Sequence, residues 1–388
     1  MTTQVNAEQL YKQLIESAHK IGQIAEGEAV EADKNATVSI NVINAIKEAG
    51  INRLIIPQEY GFPQIDFTTF TDIIKQVGYY NLSAAWLTYF FSLHNSWVAY
   101  LPKVSRDEVY RDGGLLADIF SPVGKVEKVS NGYILNGKWH YVSGINYSQW
   151  VAVGALFFQQ DNPIPERIGL CVKVSDLELI QDWDSLGLRG SGSNSIVAKD
   201  LFVPDEMVFN FNELICHRKS IHELVDESYL YYNTSFFSAF FVGFPAMSIG
   251  AAERAIEEFI ERTKKRVRLD GTHEGYTARP QRVAAELSLK LKAAKGLLKE
   301  YIEMLENDEG QYLAGEYNAI RVKIVNYCLE IAVKVTSTLG ASALAKGNPV
   351  EMLTRDMIAI STHVTSLYED GIDYYGKDLF GIENTSLG

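Results

Sequence analysis

The sequence predicts an α+β fold, mainly α, in three zones. These are an N-terminal helical domain over residues 1–113, a central β-barrel domain over 114–215 and a C-terminal four-helix bundle domain over 216–388. Three observations carry this. Apolar residues recur at helical spacing in the first and last zones. The middle zone is rich in Val, Ile and aromatics, broken by turn dipeptides, as short antiparallel strands require. No GxGxxG follows a strand and opens a helix, which removes a nicotinamide-binding Rossmann domain from consideration.

Composition sets outer limits. The chain has 388 residues, 47% hydrophobic and 22% charged, enough for two or three domains with a sizeable core. A net charge of −13 argues against nucleic acid or an anionic membrane as partner, since both attract basic surfaces. Cys171, Cys216 and Cys328 lie far apart with no CxxC or His pairing, so no disulfide framework and no metal site is expected, and a reduced, cytoplasmic setting fits. The N-terminus lacks the layout of a signal peptide, and no segment gives 18 unbroken apolar residues, so no membrane span is expected.

The elements follow in order. Leu10, Leu14, Ile21 and Ile24 mark a first amphipathic helix, and "EADKNATVSINVINAIKEAG" runs at helical spacing to a stop at Gly50. "SAAWLTYFFSLHNSWVAYL" is apolar on almost every face, which predicts a buried helix. In "KVEKVSNGYILNGKWHYVSG" the Asn131-Gly132 and Asn136-Gly137 pairs both read as hairpin turns. "WVAVGALFF", "RIGLCVKV" and "SIVAKDLFVP" are further strands. Helical spacing resumes with Ile249, Ala252, Ile256 and Phe259, whose outer face offers Arg254–Glu258, Glu258–Arg262 and Glu261–Lys265 pairs. After Pro280 come a long helix and two more, split near Gly340–Pro349. In the last, Leu353, Met357, Ile360, Val364 and Leu367 form an apolar stripe with His363 at its margin.

Local motifs narrow the reading. "AGINRLIIPQEYG", "DWDSLGLRGSGSNSIVAKDLFVPDEMV" and "LGASALAKGNPVEMLTRD" resemble, in the right order, segments of the acyl-CoA dehydrogenase superfamily, whose fold is a helical domain, a β-barrel and a four-helix bundle. Three departures separate the chain from the dehydrogenases themselves. "DIFSPVGKVE" stands in place of their Thr-Glu-Pro-(Gly)-Gly-Ser-Asp flavin stretch, and "HYVSG" in place of Trp-Ile-Thr-Asn-Gly. The glutamate base falls at Val364, beside His363. Trp139 to Gly144, the Arg-Gly-Ser-Gly-Ser run and the late histidine look instead like the flavin-dependent monooxygenase branch. Its two-component members take reduced FMN or FAD from an NAD(P)H:flavin reductase and act on O2 through a C4a-hydroperoxyflavin.

That resemblance implies hydroxylation of a small aromatic or N-oxygenation of an amine, by a homotetramer. It makes Ser143 the hydroxyl near flavin N5, and His363 and His94 the candidate catalytic histidines. Histidine suits a base or a donor at neutral pH. Position alone also allows a partly buried, hydrogen-bonded His363 and a capping or core His94. Phe120, Ser121, Tyr141 and Val142 join Ser143 at the flavin ring. Arg262 is implied at the flavin phosphates, and Ser337, Gly340 and Ala341 at the adenine half of FAD. Arg189, Ser191 and Ser193 are implied on the substrate side. The "KKR" after Arg262 equally fits a solvated helix end, and "LRGSGSN" a tight loop. Of the other histidines, His140 and His19 have weaker claims, while His217, His222 and His273 read as surface. Two competitors remain: an FAD-dependent acyl-CoA dehydrogenase with a relocated base, Glu369 being nearest, and a scaffold without catalysis.

Overall fold

Three helices of the first zone begin where short polar side chains meet bare backbone N–H groups. Ser39 accepts from the amide of Val42 and opens α3 (Ile40–Glu48). Asp66 opens α4 (Phe67–Tyr80) through Thr69, and Asn81 opens α5 (Leu82–Leu93) through Ala84. These follow α1 (Ala7–Gly27) and α2 (Ala29–Asn35), and α6 (Lys103–Arg111) closes the first zone. The computed structural model describes residues 7–60, 64–111, 113–159, 164–211, 214, 234–308 and 310–382; Cys216, His217 and His222 lie outside them. Every residue of α5 is buried, as its all-round apolar sequence predicts, and the helix tightens into a 3-10 turn over His94–Tyr100.

Seven strands make one sheet in the order β5-β6-β2-β1-β3-β4-β7. They are β1 (Leu115–Val129), β2 (Gly132–Val142), β3 (Ser148–Phe157), β4 (Glu166–Lys173), β5 (Glu178–Ile180), β6 (Asn194–Pro204) and β7 (Val208–Asn210). All pairings are antiparallel except β1 with β3. This is the central β domain expected between the two helical zones, and among the described residues its edge strands β5 and β7 do not pair with each other.

The two Asn-Gly pairs behave differently. Val129 pairs with Gly132, so the β1–β2 turn is Ser130–Asn131, with Asn131 at φ 62°. Asn136-Gly137 makes no turn and lies inside β2 at a register shift against β6. There the Asn136 amide and the Asp200 carboxylate and backbone bond each other across the strands. The indole of Trp139 fills the space over Gly137, where a Cβ would come within 2.6 Å of the ring.

The last zone holds α7 (Phe236–Phe240), α8 (Gly243–Lys265), α9 (Ala278–Glu306), α10 (Ala314–Leu339), α11 (Pro349–Ser361) and α12 (Tyr368–Leu379). α10 packs on α8, α9, α11 and α12, while α4 of the first zone lies along α8. Gly78 and Gly250 permit that approach. A Cβ on either would meet the facing backbone, Met247 O at 2.7 Å and Lys75 O at 2.1 Å. The stretch Phe236–Lys265 is long and apolar enough to cross a membrane, but 83% of its apolar window is buried in the fold. The final apolar stripe is shorter than its spacing suggests. α11 stops at Ser361, His363 caps a 3-10 turn over Val364–Ser366, and Val364 is 74% exposed.

Candidate active site

Trp86, Phe90 and His94 recur every fourth residue along α5 and therefore share one face. Around that face the fold gathers an aromatic cluster. His94 is sandwiched by Phe90 (ring centroids 3.9 Å apart) and Phe240 (3.8 Å), with Tyr89 edge-on. Trp86 stacks on Phe90 and meets Phe244 and His363 edge-on, and Phe244 lies 5.0 Å from the His363 ring. Phe120 reaches the same cluster through Phe240.

The two histidines are held in opposite tautomers, as their partners require. His94 is 3% exposed, and its Nδ1 lies 2.7 Å from Oδ2 of Asp118. That carboxylate accepts the Nδ1 proton, leaving Nε2 a bare lone pair, buried and without a partner. His363 is the reverse. Its Nδ1 accepts from the backbone N–H of Thr365 at 3.3 Å and lies 2.9 Å from the Thr365 hydroxyl, so the neutral ring carries its proton on Nε2. Part of the His363 surface stays accessible, yet its ring sits deep among protein atoms. Desolvation first, then the Arg321 guanidinium and His94, pull its pKa down to about 4. It is neutral throughout the ordinary pH range.

Arg321, on α10, is itself buried, donates Nε and Nη2 to the carbonyl of Thr365 and lies 5.0 Å over the ring of Phe241. It fixes the His363–Thr365 turn and keeps a cation beside it. On the sheet side, Trp86 Nε1 donates to Ser143 Oγ at 2.9 Å. Ser143 lies 2.9 Å from Ser193 Oγ, which lies 2.7 Å from Ser191 Oγ. Because indole only donates, the Ser143 oxygen accepts there, and its own proton is left for Ser193 or a ligand. A bulge between Trp139 and Val142, with Tyr141 at φ 67°, aims Ser143 inward and throws Tyr141 out, 71% exposed and edge-on to Trp183.

The structure therefore brings His94, His363, Ser143, Ser191, Ser193 and Phe120 together, with Val142 buried behind them. Other expected site residues are placed elsewhere. Ser121 is exposed, on a segment that leaves the β1–β3 ladder between Ile119 and Gly124, where Pro122 has no N–H to give. Arg189 is spent on the carbonyls of Asp33 and Ser185 and the carboxylate of Asp184. Arg262 is held by Glu258 and Asn348. Ser337 and Ala341 are exposed beside Gly340, which has open space around it. Glu369 is exposed in the first turn of α12. His140 bonds Ser195, His19 bonds Tyr80, and His273 is exposed. No group of three or more His, Cys, Asp or Glu suited to a metal exists among the described residues.

Sequence reasoning missed Trp86, Phe90, Asp118, Phe240, Phe244 and Arg321. The four-residue spacing on α5 is a legible signal, masked because the whole helix is apolar. Asp118 and Arg321 carry no local signal.

Residues 242–366 match the family model described as acyl-CoA dehydrogenase, C-terminal domain. The p-hydroxyphenylacetate 3-hydroxylase oxygenase component of Acinetobacter baumannii is 27% identical over 370 residues, 93% of this chain and 87% of that one. The HsaA oxygenase subunit of a flavin-dependent monooxygenase from Rhodococcus jostii (strain RHA1) is 24% identical over 369 residues, 92% and 95% of the two chains. Among solved structures, XiaF from Streptomyces sp., in complex with FADH2 and glycerol, superposes with a TM-score of 0.88 at 21% identity, covering 98% of each chain. With the helical zone, the central sheet and the bundle in place, the chain has the acyl-CoA dehydrogenase fold, and residues 242–366 are similar to that family's C-terminal domain.

Proposed function

We propose that the protein is the oxygenase component of a two-component, flavin-dependent monooxygenase that hydroxylates a small aromatic substrate. The observation that carries this is the aromatic cluster on the α5 face: packed apolar rings around a bare His94 Nε2 lone pair, with a neutral His363 Nε2–H donor beside them. A deeply apolar site with a few convergent polar atoms is the usual design for a flat ligand. The named relatives are hydroxylase and monooxygenase components, which agrees with it. Acyl-CoA dehydrogenation needs a carboxylate at the reacting carbon; Val364 occupies the expected register and Glu369 is exposed, so that reading is not carried.

The residues present fit a flavin ring. Ser143 has a hydroxyl proton to give, Phe120 supplies apolar contact, and Tyr141 with Trp183 offers an aromatic rim. When bound, reduced FMN or FAD supplies the electrons and the oxygen-activating chemistry. His94 would accept the proton of a substrate hydroxyl, making the ring more nucleophilic. His363 would hold a proton on Nε2 as a hydrogen-bond donor, and the aromatic walls would exclude water. Ser191 and Ser193 support Ser143. The phosphate half of the cofactor is not gathered within one chain, since Arg262 is engaged and Ser337, Gly340 and Ala341 face outward. We therefore propose a homotetramer in which bundle residues of a neighbour complete that half. Leu344, Leu379 and Phe380, 62%, 66% and 85% exposed on the last zone, are apolar surface available for such contacts. A separate NAD(P)H:flavin reductase would supply the reduced flavin, and O2 would be the co-substrate. We place the enzyme in the cytoplasm.

The test is a stopped-flow mix of anaerobic protein and reduced FMN or FAD with oxygenated buffer, following flavin absorbance. Reoxidation slower than that of free flavin, and faster again in Ser143→Ala, is expected. Reoxidation at the free-flavin rate, with and without an aromatic ligand present, would sink the proposal.

A further inference from the structure

We infer that Asp118 is the positioning residue of a proton-accepting dyad, fixing the tautomer of His94 so that Nε2 takes the proton of a phenolic hydroxyl; this rests on the aromatic-hydroxylation reading above.

Asp118 stands on β1, in register with Ala152 of β3 and just before the point where the chain leaves the ladder. His94 comes from the end of α5. Strand and helix are rigid, and this contact of 2.7 Å joins them, with the side chains 6% and 4% exposed. A buried carboxylate needs a partner, and the hydrogen bond it makes here is to His94 Nδ1. The ring cannot turn to exchange its nitrogens, because Phe90 and Phe240 clamp both faces. A histidine serving only to pin α5 to the sheet would have no reason to hide its second nitrogen unpaired. Buried polar atoms are normally satisfied, and an exception calls for an account. Nε2 is such an exception, and a hydroxyl-bearing ligand satisfies it.

The step balances within the dyad. The phenol O–H bond breaks, an N–H bond forms at Nε2, and the electron pair stays on the phenolate oxygen. The imidazolium then lies between two anions, the Asp118 carboxylate and the phenolate, so the net charge of dyad plus ligand stays at −1 and the new cation is paired as it forms. Asp118 keeps its charge and takes no proton, as in a Ser-His-Asp arrangement. The other titratable groups facing His94 are Tyr89 on its own helix and His363 beyond α11.

The probe is 4-nitrophenol, whose phenolate absorbs visible light, titrated into the full chain without flavin and then with FMN, below the phenol's own solution pKa. Wild-type protein is expected to bind it as the phenolate, lowering its apparent pKa by roughly one unit or more. Asp118→Asn presents an amide N–H to Nδ1 and so moves the ring proton to Nε2; it should bind the phenol without the phenolate band. Asp118→Glu should restore part of the band. His94→Gln, with Asp118 intact, should lose it, which covers the case of an Asp118→Asn chain that does not fold. A phenolate band retained in folded Asp118→Asn overturns the positioning role. Binding of the neutral phenol by wild type overturns the dyad while leaving the aromatic-cluster reading standing. No binding by wild type, with or without FMN, overturns the phenol-binding reading and the dyad with it.

Discussion

His363 and Asp356 are two buried groups whose protons are displaced in opposite senses. His363 is depressed from 6.5 to about 4, so between those values the unfolded chain binds more protons and stability falls as pH falls. His363→Asn should remove that slope, the wild type losing up to roughly 2 kcal/mol relative to the variant across that window in urea titrations at successive pH values. Asp356 accepts the Leu188 N–H at 2.7 Å, but burial outweighs that bond, and the neighbouring Arg355, and lifts it to about 7. Here the folded state binds the extra proton, so its contribution is present at low pH and lost as pH rises toward 7. Asp356→Asn keeps an acceptor for Leu188 and should gain about 1–2 kcal/mol over wild type at about pH 8, and nothing in acid. At the site, His94→Gln should lower kcat/KM for an aromatic substrate by on the order of 100-fold, the scale of one lost proton acceptor.

Among the elements, the decisive features are irregular ones. The bulge at Tyr141 is what turns Ser143 toward Trp86, and the release of β1 after Ile119 is what brings Phe120 to Phe240. The regular elements are constrained by close backbone approach. In Gly250→Ala a methyl would face the carbonyl of Lys75, backbone that cannot swing aside. The expected loss is about 2–3 kcal/mol in thermal or urea unfolding, with α4 and α8 forced apart. Gly137→Ala meets only the Trp139 side chain and should cost less, which makes the pair a control for backbone against side-chain crowding.

At the scale of the whole molecule, Arg355 ties three zones together. Its guanidinium meets Glu351 on its own helix, Asp33 of α2 at 3.0 Å and the carbonyl of Leu186 in the loop before β6. Arg189 converges on the same Asp33 from that loop. Arg355→Ala leaves the buried Glu351 carboxylate unpaired and Asp33 with only the longer contact to Arg189, and is expected to cost roughly 2–3 kcal/mol. The readout is loss of a single unfolding transition, the three zones separating in calorimetry. Sedimentation of the wild type tests the proposed tetramer.

Periodicity and turn chemistry alone told much of this architecture. Buried α5, the helical bundle and the strand zone follow from local patterns that each segment carries for itself. Family motifs pointed to His94, His363 and Ser143. Local pattern misled at Asn136-Gly137, where cross-strand bonding to Asp200 took the place of a turn, and at Val364, where helix α11 had already ended. Which atoms of the site are free was beyond the sequence altogether. Asp118 and His94 are separated by a helix and a turn, and Arg321 and Thr365 by the rest of α10 and the whole of α11, so neither pairing leaves a mark on local spacing. The tautomers, and with them the division of proton acceptor from donor, exist only once strand, helix and bundle close around the rings. A histidine's second nitrogen is defined by what its first one touches.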